Sequence, residues 1–187
     1  MIRRSTWVVL MLFAAVLGIA WYLNRNPIKK EVEAATPTPK EKLFALGSAK
    51  ITGLGVESKD GTGVELIDSG NETWLLKLPT EEAADNATVN STIYQLQNAD
   101  ILSRLNPVPN LTAMGLDEPA YLIKLAVDNG QQLVLQVGEE TPTKSGYYVR
   151  LNNDDPVIVA KFSLSSTLAW IEMPPIAPTP TPTSSNN

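Results

Sequence analysis

The chain has 187 residues, 43% hydrophobic, 19% charged and 6% aromatic, with a formal net charge of −5. This is the balance of a globular domain with accessories, not of a disordered or collagen-like chain. With no cysteine and no histidine, it excludes a disulfide scaffold, thiolate chemistry, a Ser-His-Asp triad, a zinc finger and a haem held by His or Cys.

Charge is unevenly placed. Seven Lys/Arg and three Asp/Glu precede residue 43, whereas eight and seventeen follow it. A body this acidic argues against nucleic acid as a partner, because that binding rests on Lys and Arg neutralising phosphates. Residues 6–23 (TWVVLMLFAAVLGIAWYL) carry no charge, and a helix needs ~17–25 such residues to cross a bilayer. Trp7 at one end and Trp21 with Tyr22 at the other suit the two membrane interfaces. A cleaved signal peptide is the competing reading, with Gly18-Ile19-Ala20 as the cleavage site. Cleavage there falls inside the apolar run, which also exceeds the ~7–15 residues of a signal core. The expectation is a single-pass cell-membrane protein, with residues 1–5 cytoplasmic and residues 6–23 in the lipid bilayer. Arg3 and Arg4 on one side nearly balance Arg25, Lys29 and Lys30 on the other. The placement of the body outside the cytoplasm therefore rests partly on the resemblance given below.

Residues 24–42 contain Ala35-Thr36-Pro37-Thr38-Pro39. Alternating Thr-Pro favours extended, semi-rigid backbone, so this stretch reads as a stalk. Residues 174–187 repeat that chemistry (PPIAPTPTPTSSNN) and read as a disordered tail. Asn71, Asn86, Asn90 and Asn110 each begin a glycosylation sequon, a pattern that Thr-rich chains produce by chance.

The body, residues 43–173, opens with strands. Ala49–Ser58 places Ile51, Leu54 and Val56 among glycines. Lys59-Asp60-Gly61-Thr62-Gly63 is turn chemistry and lacks the residue order of a phosphate loop. Val64–Ile67, a second turn at Asp68–Asn71 and Trp74–Leu78, stopped by Pro79, complete an antiparallel meander. Val89, Ile93, Leu96 and Ala99 then fall on one helical face. Asp85 or Asn86 caps this helix, and Asn90, Gln95 and Gln97 face water. The helix has one apolar stripe and so lies on a sheet. Asn106–Asn110 breaks the chain before Gly115-Leu116-Asp117-Glu118-Pro119. Tyr121–Val127 and Leu133–Val137 alternate as strands, and Asn129-Gly130 between them predicts a type I′ hairpin turn. Tyr147–Leu151 and Val157–Ala160 are further strands. Ser163–Trp170 is a short closing helix with Leu164, Leu168 and Trp170 packing. The predicted fold class is α+β, a mostly antiparallel sheet with one packed amphipathic helix and a short C-terminal helix, behind one transmembrane helix.

The order of landmarks resembles the bacterial family of unknown function called DUF4340. They are Trp74-Leu75 with Pro79, the helix from about Asp85, Gly115-Leu116-Asp117 with Pro119, Asn129-Gly130, Val137-Gly138, Pro142, Gly146 and Tyr147-Tyr148-Val149-Arg150. The resemblance covers about residues 43–171. It implies an N-terminal membrane segment and an envelope protein with no established molecular function or catalytic residues. Some relatives are associated with ABC-type export or gliding-type transport, and many hold more than one such unit where this chain has one.

No catalytic, cofactor-binding or metal-ligating set emerges. Asp117 bonds a turn backbone, or with Glu118 binds a cation or partner. Glu139-Glu140 and Asp154-Asp155 read as solvated acids on turns. Neighbours on a strand point to opposite faces, which denies them the facing geometry of a glycosidase, and the spaced acidic loop of a calcium site is absent. Tyr147, Tyr148 and Arg150 suit a recognition surface, and alternation buries one tyrosine and exposes the other. Asp117, Glu118, Tyr148 and Arg150 are therefore the candidates for a partner surface. The expected function is a tethered, non-catalytic envelope module serving a membrane complex, such as an ABC-type transport complex. The alternatives are a carboxylate-based hydrolase and a structural domain that assembles through a strand edge.

Overall fold

The structure, a computed structural model, describes residues 41–179 together with Leu17 and Trp21. The chain divides into two units, Met1–Pro39 and Lys40–Asn187. The expected cytoplasmic N-terminus, and the expected transmembrane helix apart from Leu17 and Trp21, lie outside the described residues, as do residues 24–40 and 180–187. Among the described residues no helix is long and apolar enough to cross a membrane.

The domain is α+β, with one nine-stranded antiparallel sheet and two helices. Strands β1 (Ile51–Ser58), β2 (Gly63–Asp68), β3 (Trp74–Leu78) and β4 (Glu82–Ala83) form the first meander. Helix α1 (Asn86–Gln97) and β5 (Ile101–Arg104) follow, then a 3₁₀ turn at Leu111–Met114. The second meander is β6 (Tyr121–Val127), β7 (Gln132–Glu140), β8 (Gly146–Leu151) and β9 (Val157–Ala160), closed by α2 (Lys161–Ala169). The sheet order is β4-β3-β2-β1-β6-β7-β8-β9-β5.

Register explains why both meanders join into one sheet. Leu76, Leu66, Leu54, Leu125 and Leu133 stand in one row across β3, β2, β1, β6 and β7. Val64, Val56, Ile123, Leu135 and Leu151 form the next row. A one-residue slip of any strand would turn its members to the other face. All five leucines of the first row are buried, each contributing ~1.5–3 kcal/mol of transfer free energy. Both helices cover this face. α1 brings Val89, Ile93 and Leu96, and α2 brings Leu164 and Leu168, to the same core. Asp85 caps α1 by accepting from the amides of Ala87 (3.0 Å) and Thr88 (3.3 Å).

Several expectations change in detail. The β6–β7 hairpin forms, but of Asn129 and Gly130 only Gly130 has a positive φ (83°). Val127 N donates to Gln131 O at 2.9 Å, so the loop has three residues and the turn is not type I′. Asp128 ties this loop to the residue before β1: its carboxylate accepts from Lys50 N (3.1 Å) and its own amide donates to Lys50 O (2.9 Å). Glu139 and Glu140 lie in β7 rather than on a turn. Asn90 does not simply face water, because its Oδ1 accepts from the Trp74 indole N–H at 2.8 Å. α2 begins at Lys161, two residues before the expected start.

Candidate functional site

The Gly115 turn shows what its motif does. Asn110 opens the 3₁₀ turn by accepting from Thr112 N at 3.1 Å. Gly115 closes it in the left-handed region (φ 66°), where a side chain is strained. The Thr112 hydroxyl donates to the Asp117 carboxylate across the turn. Glu118 pairs with Lys59 at 2.6 Å, joining this turn to the end of β1, and that lysine lowers the Glu118 pKa. The turn sits directly on β7. A Cβ at Gly138 would lie 2.2 Å from the Met114 carbonyl oxygen, and one at Gly115 would lie 2.8 Å from Glu139 Cγ. Two landmarks 23 positions apart in the chain are thus the two sides of one backbone contact.

Tyr148 and Arg150 share the sheet face away from the helices, with Val149 buried between them on the other side. Tyr147 and Tyr148 are both half-buried, so alternation does not expose one and hide the other. Tyr147 packs against the core. β7 bulges between Val137 and Glu140, and register places Tyr148 across from that bulge, on which the Gly115 turn rests. Arg150 Nε donates to Gln136 Oε1 at 2.8 Å in the adjacent strand. Asp117 is held within its own turn by Thr112, Glu118 pairs with Lys59 just beyond β1, and Arg150 is held to β7.

The larger feature of this face is a trough of about 550 Å³ running over β3, β2, β1, β6 and β7. Gly53 and Gly55 of β1 and Gly63 of β2 leave its floor bare, and Ile67, Leu78 and Val134 supply apolar walls. Lys124 and Glu57 pair across it at 2.7 Å. Sequence reading missed these residues. The available signal was the glycines at outward positions of β1, together with strands β2, β6 and β7 that carry apolar residues on both faces. Such two-sided strands mark a sheet with something to cover on each side.

The acidic residues are arranged as structural partners. Lys161, the first residue of α2, pairs with Glu140, and Tyr147 Oη donates to the same carboxylate at 3.3 Å. Lys161 lowers the Glu140 pKa, Glu140 raises that of Lys161, and burial raises that of Tyr147. This keeps carboxylate, ammonium and phenol in their ordinary neutral-pH forms and fastens α2 to the β7–β8 end. Thr88 lowers the Asp85 pKa, Ser58 that of Asp60, and Arg104 that of Glu41. A general acid needs a shift in the opposite direction. Asp154 and Asp155 remain on the β8–β9 turn, beside a second recess of about 320 Å³ that holds the Glu41–Arg104 pair. Among the described residues no three acidic side chains converge as metal ligands.

Both sheet edges carry a covering segment. Leu43 N donates to Ala99 O and Ile101 N to Glu41 O, each at 2.8 Å, so residues 41–43 flank the start of β5. At the other edge Asp85 N donates to Pro175 O (2.8 Å) and Ala177 N to Ala83 O (2.9 Å). Residues 175–177, expected as part of a disordered tail, thus extend the sheet beyond β4.

Residues 74–173 match the family described as Domain of unknown function (DUF4340). The chain belongs to this family. Comparison with curated proteins and with solved structures yields no match. The DUF4340 match begins at the first residue of β3 and runs past α2, so it contains the Gly115–Gly138 contact, Gly146, Tyr148 and Arg150. β1 and β2, which form the glycine floor of the trough, precede the matched residues.

Proposed function

We propose that this DUF4340 protein is a membrane-tethered, non-catalytic interaction module of the cell envelope that binds a protein of a membrane complex on the sheet face opposite α1 and α2. The observation carrying this reading is the asymmetry of the sheet. One face is buried under α1 and α2, while the other holds a glycine-floored trough with apolar walls. Open apolar recesses rimmed by polar groups are where partners dock. The apolar run at residues 6–23 and the Thr-Pro stretch after it support the tether, and the family resemblance supports an ABC-type transport complex as its setting. Assembly through a strand edge has less support, because residues 41–43 and 175–177 flank the two edges. A carboxylate hydrolase also has less support, because Glu41, Asp60, Asp85, Glu118 and Glu140 all have lowered pKa values.

The test is site-specific photocrosslinking of the full chain in membranes of the producing cell. A probe at Val134 in the trough wall should capture an integral membrane subunit of a transport complex. A probe at Tyr94, exposed on α1 at the opposite side, should not. Equal capture at both positions, or none at Val134, would overturn the proposal. Protease protection of the same C-terminally tagged chain, in whole cells and spheroplasts, reports the side on which the body lies.

A further inference from the structure

We infer that the outer face of α1 and α2 docks a second copy of this chain, as a two-fold pair that leaves the trough on the opposite sheet face free. The first observation is charge. The 12 residues of α1 carry none and the nine of α2 carry Lys161 alone, in a chain that is 19% charged. Lys161 is itself paired with Glu140. Where a solvated helix places Lys and Glu, α1 exposes Thr88, Ser91 and Tyr94, and α2 exposes Phe162, Ser165 and Ala169. Serine and threonine are poorer helix formers than lysine and glutamate, and charge is what keeps a surface soluble. These residues therefore serve neither helix stability nor solubility.

The second observation is hydrogen bonding. The hydroxyls of Ser91 and Ser165 donate to Thr88 O (2.9 Å) and Phe162 O (3.2 Å), and that of Thr88 to Asp85 Oδ2 (2.8 Å). Covering the face leaves none of these donors without a partner, so its desolvation costs little. The third is a pair of aromatic anchors. Tyr94 is 69% and Phe162 67% exposed. Gln95 Nε2 donates to Phe162 O at 2.8 Å, which fastens the start of α2 to α1 one residue from Tyr94. Aromatic side chains are enriched in the cores of protein interfaces. The acidity of the body selects a copy as the occupant. Residues 43–187 hold seventeen acids against eight Lys and Arg, so two copies repel wherever their acidic surfaces meet. In a two-fold pair the same patch meets itself, and a patch without charge satisfies that condition. A basic partner protein would be drawn to the acidic surface instead. Helices of ~18 and ~14 Å with axes ~9 Å apart present a face of roughly 18 by 19 Å, at the small end of specific interfaces. The pair is therefore weak and reversible, and crosslinking is the way to trap it.

The test is photocrosslinking between two copies of the full chain that carry different C-terminal tags and are made in the same cells. A probe in place of Tyr94 should give an adduct of twice the chain mass that holds both tags. A probe in place of Asn129, exposed on the β6–β7 loop, should give none. Ser91→Glu combined with Ser165→Glu sets like charges on both faces and should lower the adduct at least about fivefold. Ser91→Lys combined with Ser165→Lys should do the same. Making the acidic and the basic double variants together should return the adduct to the parent level, since opposite charges then meet. Absence of the two-tag adduct from the Tyr94 probe, an equal adduct from the Asn129 probe, or a parent-level adduct from either double variant alone overturns the inference. An adduct with a different protein alone also overturns it, and assigns the face to that protein. The parent chain with its two probes decides the matter even if a double variant fails to fold. Capture from Val134 plays no part in this readout, so the proposed function and this inference can fail independently.

Discussion

Glycine at position 138 is fixed by its neighbour's backbone. The Met114 carbonyl oxygen lies 2.2 Å from where a Cβ would stand, and no rotamer change moves a carbonyl that belongs to a closed 3₁₀ turn. Gly138→Ala should therefore cost about 2–3 kcal/mol, the scale of forced overpacking. Gly55→Ala should leave stability within ~1 kcal/mol of the parent, because its Cβ meets only ordinary contacts and alanine suits a strand better. Urea unfolding of the full chain in detergent compares the two, and equal midpoints would refute the assigned contact. Titratable residues give a second expectation at this scale. The carboxyls of Glu41, Asp60, Asp85, Glu118 and Glu140 have folded pKa values below their unfolded ones. Their contribution is complete above the unfolded pKa, 4.5 for the glutamates and 3.8 for the aspartates, and is lost as pH falls through the folded values. Lys161 is raised, so its contribution is complete below 10.5 and is lost above. With no histidine, unfolding midpoints should be flat from about pH 6 to 9 and should fall on acidification below about 4.5. A slope across neutrality would point to a group not accounted for.

Element α1 is tied to β3 by two asparagines. Asn86 Oδ1 accepts from Trp74 N, and Asn90 Oδ1 from the Trp74 indole, both at 2.8 Å. Trp74 is 3% exposed, so Asn90→Ala leaves a buried N–H without an acceptor and should cost about 1–3 kcal/mol. Asn90→Asp keeps an acceptor and should recover most of that loss. If both variants unfold at the same urea concentration, the bond has no special weight. The same pair shows how far sequence reaches. Four positions spaced by three or four residues suffice to place α1 on the core, because burial repeats with the helical period. That Asn90 turns inward to Trp74 depends on a partner sixteen residues away, which no local period records. β5 escaped detection for a related reason. Its residues Leu102, Ser103 and Arg104 are exposed and Ile101 is only half-buried, so an edge strand shows no alternation. Most central strands were legible because their inward residues are apolar without interruption. The trough was less so. It consists of missing side chains on β1, and a glycine reads as a broken pattern before it reads as a floor. Asp117 and Glu118 stood out as a motif, and the structure shows them holding a turn and an ion pair.

At the scale of the whole domain, the sheet is closed by the chain on either side of it. A nine-stranded sheet has two rows of unpaired backbone groups to hide. Residues 41–43 flank one, and residues 175–177 lie along the other, so the segment that enters the domain and the segment that leaves it both act as edge covers. This gives residues 175–177 a structural role that truncation can test. A chain ending at Thr179 keeps the bonds from Asp85 N to Pro175 O and from Ala177 N to Ala83 O. A chain ending at Pro174 loses both and bares β4. Hydrogen exchange distinguishes them. The Asp85 amide should exchange at the parent rate in the longer truncation, and roughly tenfold or more faster in the shorter one, while amides of β1 and β6 stay protected in both. The shorter chain should also self-associate as concentration rises, through the edge it exposes. Unchanged exchange at Asp85 would mean that the strand pairing at this edge contributes nothing to local stability. The edge would then be available to partners, and the balance between face docking and edge assembly would shift toward the edge.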